Sequence, residues 1–460
     1  MIRVGLRAAV VASVIALVMS PSAWALSQPV VDADATPPSG GVGPVTPMVQ
    51  RTECATTGVV PGTDPGVPSP NQRMLNLEGA WSFSRGEGQT VAIIDTGVTP
   101  GPRLPNVEPG GDFVADTDGL TDCDGHGTLV AGIVGGQPGP DAFSGVAPAA
   151  RLLSIRQTSA AYSRREHSDD PGAARATIDI ATLARAVVHA ADSGARVINI
   201  SVVTCLRAGT DVDQQALGAA LRYAAVDKDA VIVAAAGDVG LTTLSGSTEC
   251  QANPIGASVS PDDPRNWGEA TSASIPSWWQ PYVLSVGSVT PVGEPSAFSM
   301  PGPWLGIAAP GEDIVSVGNS PAAGLVNGLS GARDQWVTLA GTGYAAAYVS
   351  GVAALVRSRF PELSAAQVIH RLQATAHTGT RTPSNLVGAG ALDPVAALTW
   401  ELSASGLDPA GSGVARIAAP ATAPTRDHSA RNIAFAGTAV LALAVIGAAW
   451  VTQRRKDHGR

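Results

Sequence analysis

Two short stretches place proton-handling side chains at turns. In Val91-Ala-Ile-Ile-Asp95-Thr-Gly97 an apolar, β-branched run ends in a carboxylate and a glycine turn. The carboxyl ends of strands in an α/β sheet border the crevice where ligands bind. In Asp124-Gly-His126-Gly-Thr-Leu-Val-Ala-Gly132 the flanking glycines let the chain turn tightly and set a histidine at the start of a helix. Imidazole titrates near neutrality, so it can take and return a proton, and an adjacent buried aspartate would fix its tautomer. His126 and Asp95 therefore read as a base and its orienting partner. The third element of such a site is a nucleophile at a strand-to-helix turn, and Ala340-Gly341-Thr342-Gly343-Tyr344-Ala345-Ala346 occupies that place.

The elements that must position these residues are legible as alternating patterns. Apolar β-branched runs recur at Val91–Ile94, Leu152–Ile155, Val197–Ile200, Val231–Ala235 and Val283–Val286, each the length of a buried strand. Between them Leu129, Val130, Ile133 and Val134, then Ile180, Leu183, Val187 and Val188, then Leu217, Leu221 and Ala224 follow one-face helical spacing. Further helices are predicted at about Tyr344–Ser358 and Ser364–Ala376. Strand and helix in alternation predict an α/β fold, a parallel sheet with helices on both faces.

The three motifs together, Asp-Thr-Gly, His-Gly-Thr and Gly-Thr-x-Tyr-Ala, resemble the subtilisin family of serine proteases over about residues 75–400. The resemblance is closer to the mycosins, membrane-anchored subtilisin-like proteases of type VII secretion systems. Asp122-Cys-Asp-Gly-His126-Gly-Thr-Leu-Val-Ala-Gly, Phe143-Ser-Gly-Val-Ala-Pro148, Leu153-Ser-Ile-Arg-Gln157, Val197-Ile-Asn-Ile-Ser201 and Tyr282-Val-Leu-Ser-Val-Gly-Ser288 carry it. It implies disulfides Cys54–Cys123 and Cys205–Cys250, since four cysteines alone leave three connectivities open. It also implies a type VII secretion membrane complex as partner.

Against that pattern the chain departs at three positions. Gly343 stands where the family has its nucleophilic serine, and glycine has no oxygen to attack a carbonyl. Asp238, after Ala235-Ala-Gly, stands where the family has an asparagine whose amide donates to the tetrahedral oxyanion, and an ionised carboxylate only accepts. Ala347 stands where the family usually has proline. Ser350 lies about two helical turns beyond position 343, roughly 10 Å away, and does not substitute for the missing hydroxyl.

The chain ends predict an exported protein. Arg3 and Arg7 precede the apolar run Ala8–Met19 and the small-x-small Ala23-Trp24-Ala25, a secretory signal. Near the other terminus, Ile433–Thr452 is almost wholly apolar and, at about 1.5 Å per residue, long enough to cross a bilayer. Gln453-Arg-Arg-Lys456 follows it, which would put the C-terminus in the cytoplasm and the body outside the plasma membrane. The expected domains are a signal peptide (1–25), an N-terminal extension (26–74), a subtilisin-like peptidase domain (75–402), a Pro/Ala/Gly-rich linker (403–431), a transmembrane helix (432–453) and a cytoplasmic tail (454–460).

Composition removes other classes. Only 15% of residues are charged, and 52 Gly and 35 Pro punctuate the chain, which excludes a coiled coil. The net charge of −9 with no long basic run gives no nucleic-acid partner. Asp112, Asp116, Asp118, Asp122 and Asp124 crowd one region, but their spacing misses the EF-hand pattern and reads as a solvated acidic loop. No metal and no cofactor is expected. His189 and Trp278-Trp279 read as core residues.

With its nucleophile and oxyanion positions both changed, the sequence predicts a proteolytically inactive, structural, membrane-anchored mycosin-like protein. The alternative is an active subtilisin-like serine endopeptidase processing secreted proteins, with Asp95 and His126 kept for that purpose. A third reading is a module that binds peptide in the old substrate groove, edged by Ser201–Val203.

Overall fold

Seven short strands, nearly all of them buried runs of valine, isoleucine, leucine and alanine, build the centre of the molecule. The computed structural model describes residues 26–165, 170–241, 250–256, 262–320, 324–331, 335–377, 383–402 and 447. The strands are β1 (Thr90–Asp95), β2 (Val107–Asp112), β3 (Arg151–Arg156), β4 (Val197–Ile200), β5 (Val231–Ala235), β6 (Val283–Val289) and β7 (Leu305–Pro310). They form one parallel sheet in the order β7-β6-β5-β4-β1-β3-β2. The period of two explains why both faces are apolar: Val91 and Ile93 of β1 point into one core, Ala92 and Ile94 into the other.

Helices cover each face. On one lie α1 (His126–Gly135) and α4 (Thr342–Arg359), packed against each other, and α4 runs against β4, β5, β6 and β7. On the other lie α2 (Pro171–Asp192) and α3 (Gln215–Arg222). After α4 comes α5 (Ala365–Ala374), which starts at a reciprocal cap between Ser364 and Gln367. These elements fall where the apolar spacing puts them.

Chain order along the sheet explains the location of the site. From the central β1 the chain moves out to β2 and returns through β3, then crosses to β4 and continues the other way. The crevice at a reversal of strand order opens at the carboxyl ends, and Asp95 is the last residue of β1.

The N-terminal arm is tied to the body rather than free. Met48–Gln50 pairs with Tyr162–Arg164, and Thr57–Gly58 pairs with Gly328–Leu329. Arg185 on α2 donates to the arm carbonyls of Gly41 and Gly43, and His189, one helical turn on, has its Nδ1 2.9 Å from the Gly40 carbonyl. His189 is thus a clasp for the arm as well as a packed residue. Trp279 is buried and Trp278 half-buried, and both indoles donate to Gln214.

The expected transmembrane helix is corrected: among the described residues no helix is long and apolar enough to cross a membrane. α2 is long enough at 22 residues, but Arg175, Asp179 and Arg185 lie along it. The chain divides into two units, Met1–Gly411 and Ser412–Arg460. The apolar segment 432–453, except Gly447, lies outside the described residues, as do the signal segment 1–25, the linker 403–431 and the tail 454–460.

Candidate active site

Asp95 is fully buried at the end of β1, and its Oδ1 accepts the Thr96 amide at 2.8 Å. His126 is the first residue of α1 and 8% exposed. The two meet at 2.8 Å between Asp95 Oδ1 and His126 Nδ1. Two glycines allow the approach. Gly125 holds the helix N-cap at φ +79°, and a Cβ on Gly127 would stand 2.0 Å from the Gly97 carbonyl, so only glycine lets α1 start against the β1 turn. Burial pulls the imidazole pKa down, but the Asp95 carboxylate, with Asp122 and Asp238 farther off, outweighs it and holds His126 above its ordinary value.

Behind this pair, Asp122 organises the loop. Its Oδ1 accepts from Thr96 Oγ1 (2.8 Å), the Asp124 amide (3.2 Å) and the Gly125 amide (2.8 Å), and its Oδ2 from the Thr128 amide (2.8 Å) and Thr128 Oγ1 (2.6 Å). Burial raises its pKa despite those bonds. Sequence reasoning missed this role because Asp122 sits in a run of aspartates. That run is solvated only in part: Asp116 and Asp118 are exposed, but Asp112, Asp122 and Asp124 are buried, and Asp112 pairs with Arg156 at 3.2 Å. Burial pushes Asp124 up to about 6, while its Oδ1 accepts the Ala160 amide. No cluster of metal-ligating side chains occurs among the described residues.

The other half of the site comes from the end of β5 and the start of α4. Gly343 lies in the first turn of α4, and a Cβ placed there would sit 3.2 Å from His126 Nε2 and Cε1 and 3.0 Å from the Ser201 carbonyl oxygen. The imidazole edge therefore faces position 343, with the Tyr344 ring centroid 5.0 Å from its own. Asp238 follows β5 and is partly buried; its Oδ1 accepts from the Thr342 amide at 2.9 Å and Thr342 Oγ1 at 2.8 Å. Desolvation raises its pKa, against the two Thr342 bonds and the nearby His126. Ser350 is fully buried and donates to Asn199 Oδ1 at 2.8 Å, so it belongs to the core. Ser201, Val202 and Val203 are buried as well.

Each half is stapled. The Cys54–Cys123 disulfide joins the arm to the residue between Asp122 and Asp124, and the Ala55 amide donates to the Cys123 carbonyl beside it. The Cys205–Cys250 disulfide lies under the turn that follows β5: a Cβ on Gly237 would meet Cys250 Sγ, and the Cys250 amide donates to the Asp238 carbonyl at 3.2 Å. Cavities of about 610 and 660 Å³ open elsewhere, beside Phe83, Phe360 and Trp400 and beside Gln72, Trp81 and Arg85.

An aspartate–histidine pair aimed at the first turn of a buried helix, at the carboxyl edge of a parallel sheet, is the arrangement of a subtilase. The Subtilase family profile matches residues 86–390. Mycosin-3 of Mycobacterium tuberculosis (strain ATCC 25618 / H37Rv) is 63% identical over 97% of this chain and 96% of its own length. Mycosin-1 of Mycolicibacterium smegmatis (strain ATCC 700084 / mc(2)155) is 45% identical over 95% and 96%. Among solved structures, the MycP3 protease from the type VII (ESX-3) secretion system is 65% identical, with a TM-score of 0.79 over 82% of this chain and all of that one. A chain of an intact ESX-5 inner membrane complex is 46% identical, with a TM-score of 0.79 over 93% and 99%. The chain belongs to the subtilase family and, within it, to the mycosins.

The expectation of an inactive, structural protein held by its own single-pass helix is corrected on two grounds. No described helix can span a bilayer, and a solved relative of this fold, 65% identical, is described as a protease. The single-pass localisation and the helical contact with the plasma membrane are withdrawn with it.

Proposed function

We propose that the chain is a subtilisin-like serine-endopeptidase-family hydrolase that acts on secreted polypeptides beside the membrane complex of a type VII secretion system. Residues 75–402 form its peptidase domain, behind an extension at 26–74 and an export signal at 1–25. The observation that carries the reading is the buried Asp95–His126 pair, joined at 2.8 Å with its free edge toward position 343. Likeness to a chain of an ESX-5 inner membrane complex supports the place of action.

Position 343 is where the family's pattern has its nucleophile, and Gly343 brings no oxygen. The attacking oxygen is then that of a water. His126 Nε2 takes a proton from it as the oxygen bonds to the scissile carbonyl carbon, and the carbonyl π pair moves onto its own oxygen. Collapse of the tetrahedral species breaks the C–N bond while His126 returns the proton to the leaving amine. Asp95 fixes the tautomer and balances the imidazolium charge. No acyl-enzyme forms, and turnover is slow, because sites of this kind stripped of triad members keep only roughly 10³–10⁴-fold acceleration over water.

The full-length protein should cleave fluorogenic peptides slowly, and only once the pH is high enough to free His126 of its proton, without a burst and without labelling by a fluorophosphonate. His126→Ala should abolish the cleavage. Gly343→Ser should raise it by about 10³-fold or more and make the protein label. Equal rates for the wild type and His126→Ala, with Gly343→Ser still inert, would exclude an endopeptidase site.

A further inference from the structure

We infer that Asp238 works as a neutral carboxylic acid, donating its Oδ2 hydrogen to the oxyanion of the tetrahedral species, so that it serves in the protonated form where an asparagine amide would otherwise serve. The inference deepens the hydrolase reading above and rests on it.

The argument begins with which oxygen is held. Both donors from Thr342, the amide at 2.9 Å and the hydroxyl at 2.8 Å, fall on Oδ1. The hydroxyl is itself fixed, because it accepts the Gly237 amide at 3.1 Å. Thr342 therefore sets the carboxyl plane from both sides. An asparagine held the same way would present its carbonyl oxygen to Thr342 and leave its amide nitrogen at the Oδ2 position. Oδ2 faces Gly341, 3.0 Å from where a Cβ would stand, next to the 342–343 turn. Among the described residues no donor is bonded to Oδ2. An oxygen taking two hydrogen bonds beside a second oxygen with no donor among the described residues leaves Oδ2 free to carry a proton and donate it.

The electrostatic surroundings agree. His126 on α1 is the cation that reaches Asp238, and the phenol of Tyr344 on α4 is the other titratable group facing it. Asp95 and Asp122 lie behind His126 and act on that same imidazole. No lysine or arginine among the described residues contributes to holding Asp238 ionised. Desolvation raises its pKa. When attack pushes the carbonyl π pair onto oxygen, a neutral Oδ2–H meets the new charge as a donor, whereas a carboxylate would repel it. A carboxylic acid kept neutral by its site for this purpose has precedent in ketosteroid isomerase.

The requirement couples two protons. The active form needs His126 free of its proton and Asp238 holding its own, so activity follows a bell-shaped curve whose limbs belong to the pair. The test is kcat/KM against pH for the full-length Gly343→Ser protein and for Gly343→Ser with Asp238→Asn, on one peptide substrate. The single variant should show both limbs. The double variant should keep the acid limb, lose the alkaline one, and exceed the single variant by about 10²-fold on the alkaline side. An alkaline limb that survives Asp238→Asn, or a single variant without one, overturns the inference. A second measurement needs no activity: ¹³C NMR titration of the Asp238 carboxyl in the unsubstituted protein, assigned by its loss in Asp238→Asn. A carboxyl already ionised in the ordinary carboxylate range overturns the inference whatever the rates. A carboxyl that stays neutral above that range, with no hydrolysis by either variant, overturns the hydrolase reading and with it the donor role.

Discussion

The two halves of the site are held in different ways. Around Asp95 and His126 the fixing groups are side chains with many partners: Asp122 alone receives five donors from the 96, 124, 125 and 128 positions. Around Gly343 and Asp238 one residue, Thr342, supplies both bonds to the Asp238 side chain, and the turn is otherwise placed by main-chain bonds such as the Gly341 amide to the Gly311 carbonyl, by the Cys205–Cys250 disulfide and by the burial of α4 against the sheet. In the first half a changed side chain would release a network of buried amides. In the second, a side chain at 343 would press on His126 and the Ser201 carbonyl, and the Asp238 carboxyl receives only the two Thr342 donors. Gly343 and Asp238, where the sequence reading expects departures from the family's pattern, sit in the half with fewer side-chain partners, and Asp95 and His126 in the half with more.

Restoring the half with fewer partners should give the largest effect. Gly343→Ser with Asp238→Asn should cleave peptide at least about 10³-fold faster than the unsubstituted protein, measured as kcat/KM at pH 8. No gain would mean that the 342–343 turn is misplaced for attack and that the halves differ in more than side chains. Damaging the rigid half comes next. Asp122→Ala leaves several buried donors unmatched and should cost about 3–4 kcal/mol in denaturant unfolding. A loss under 1 kcal/mol would show that the loop repairs itself.

A smaller change is expected from Thr342→Val, which removes one donor to Asp238 and the acceptor of the Gly237 amide. It should cost about 1–2 kcal/mol and raise the Asp238 pKa further, since a bond that lowers it is gone. The smallest is the pH dependence of Asp238→Asn. A carboxyl whose pKa is raised by folding contributes stability that is full below its unfolded value near 4 and is lost as pH rises through the folded value. Asp238→Asn should therefore gain in stability relative to the unsubstituted protein on going from pH 4 to pH 8. A difference independent of pH would place Asp238 in solvent.

How much of this could be read from the sequence depends on whether the signal was a period or a partner. The runs at Val91, Leu152, Val197, Val231 and Val283 declare buried strands because both neighbours of each residue are apolar, and each run lies in the sheet. The Asp95–His126 contact was legible because each residue ends a motif at a turn on the same sheet edge. Asp122 was not, because charge density along a chain says nothing about which carboxylates turn inward onto amides. The buried pair Arg156–Asp112 escaped for the same reason. The apolar stretch 432–453 was read from its composition, its length and the basic residues after it, and among the described residues no helix is long and apolar enough to cross a membrane.

The docking of the arm also has a consequence in time. The Thr56 amide donates to Ser330 Oγ, a partner 274 residues later, and Thr57 Oγ1 donates to Asn319, 262 residues later. A chain made from its N-terminus holds these arm residues long before their partners exist, and closing so long a loop is slow unless the ends are already placed. The body must first bring the 319–330 segment to the His126 loop. The arm is thus among the first parts synthesised and among the last to settle. Until it does, the edge of the loop that carries His126 lacks the contacts that fasten it in the finished protein.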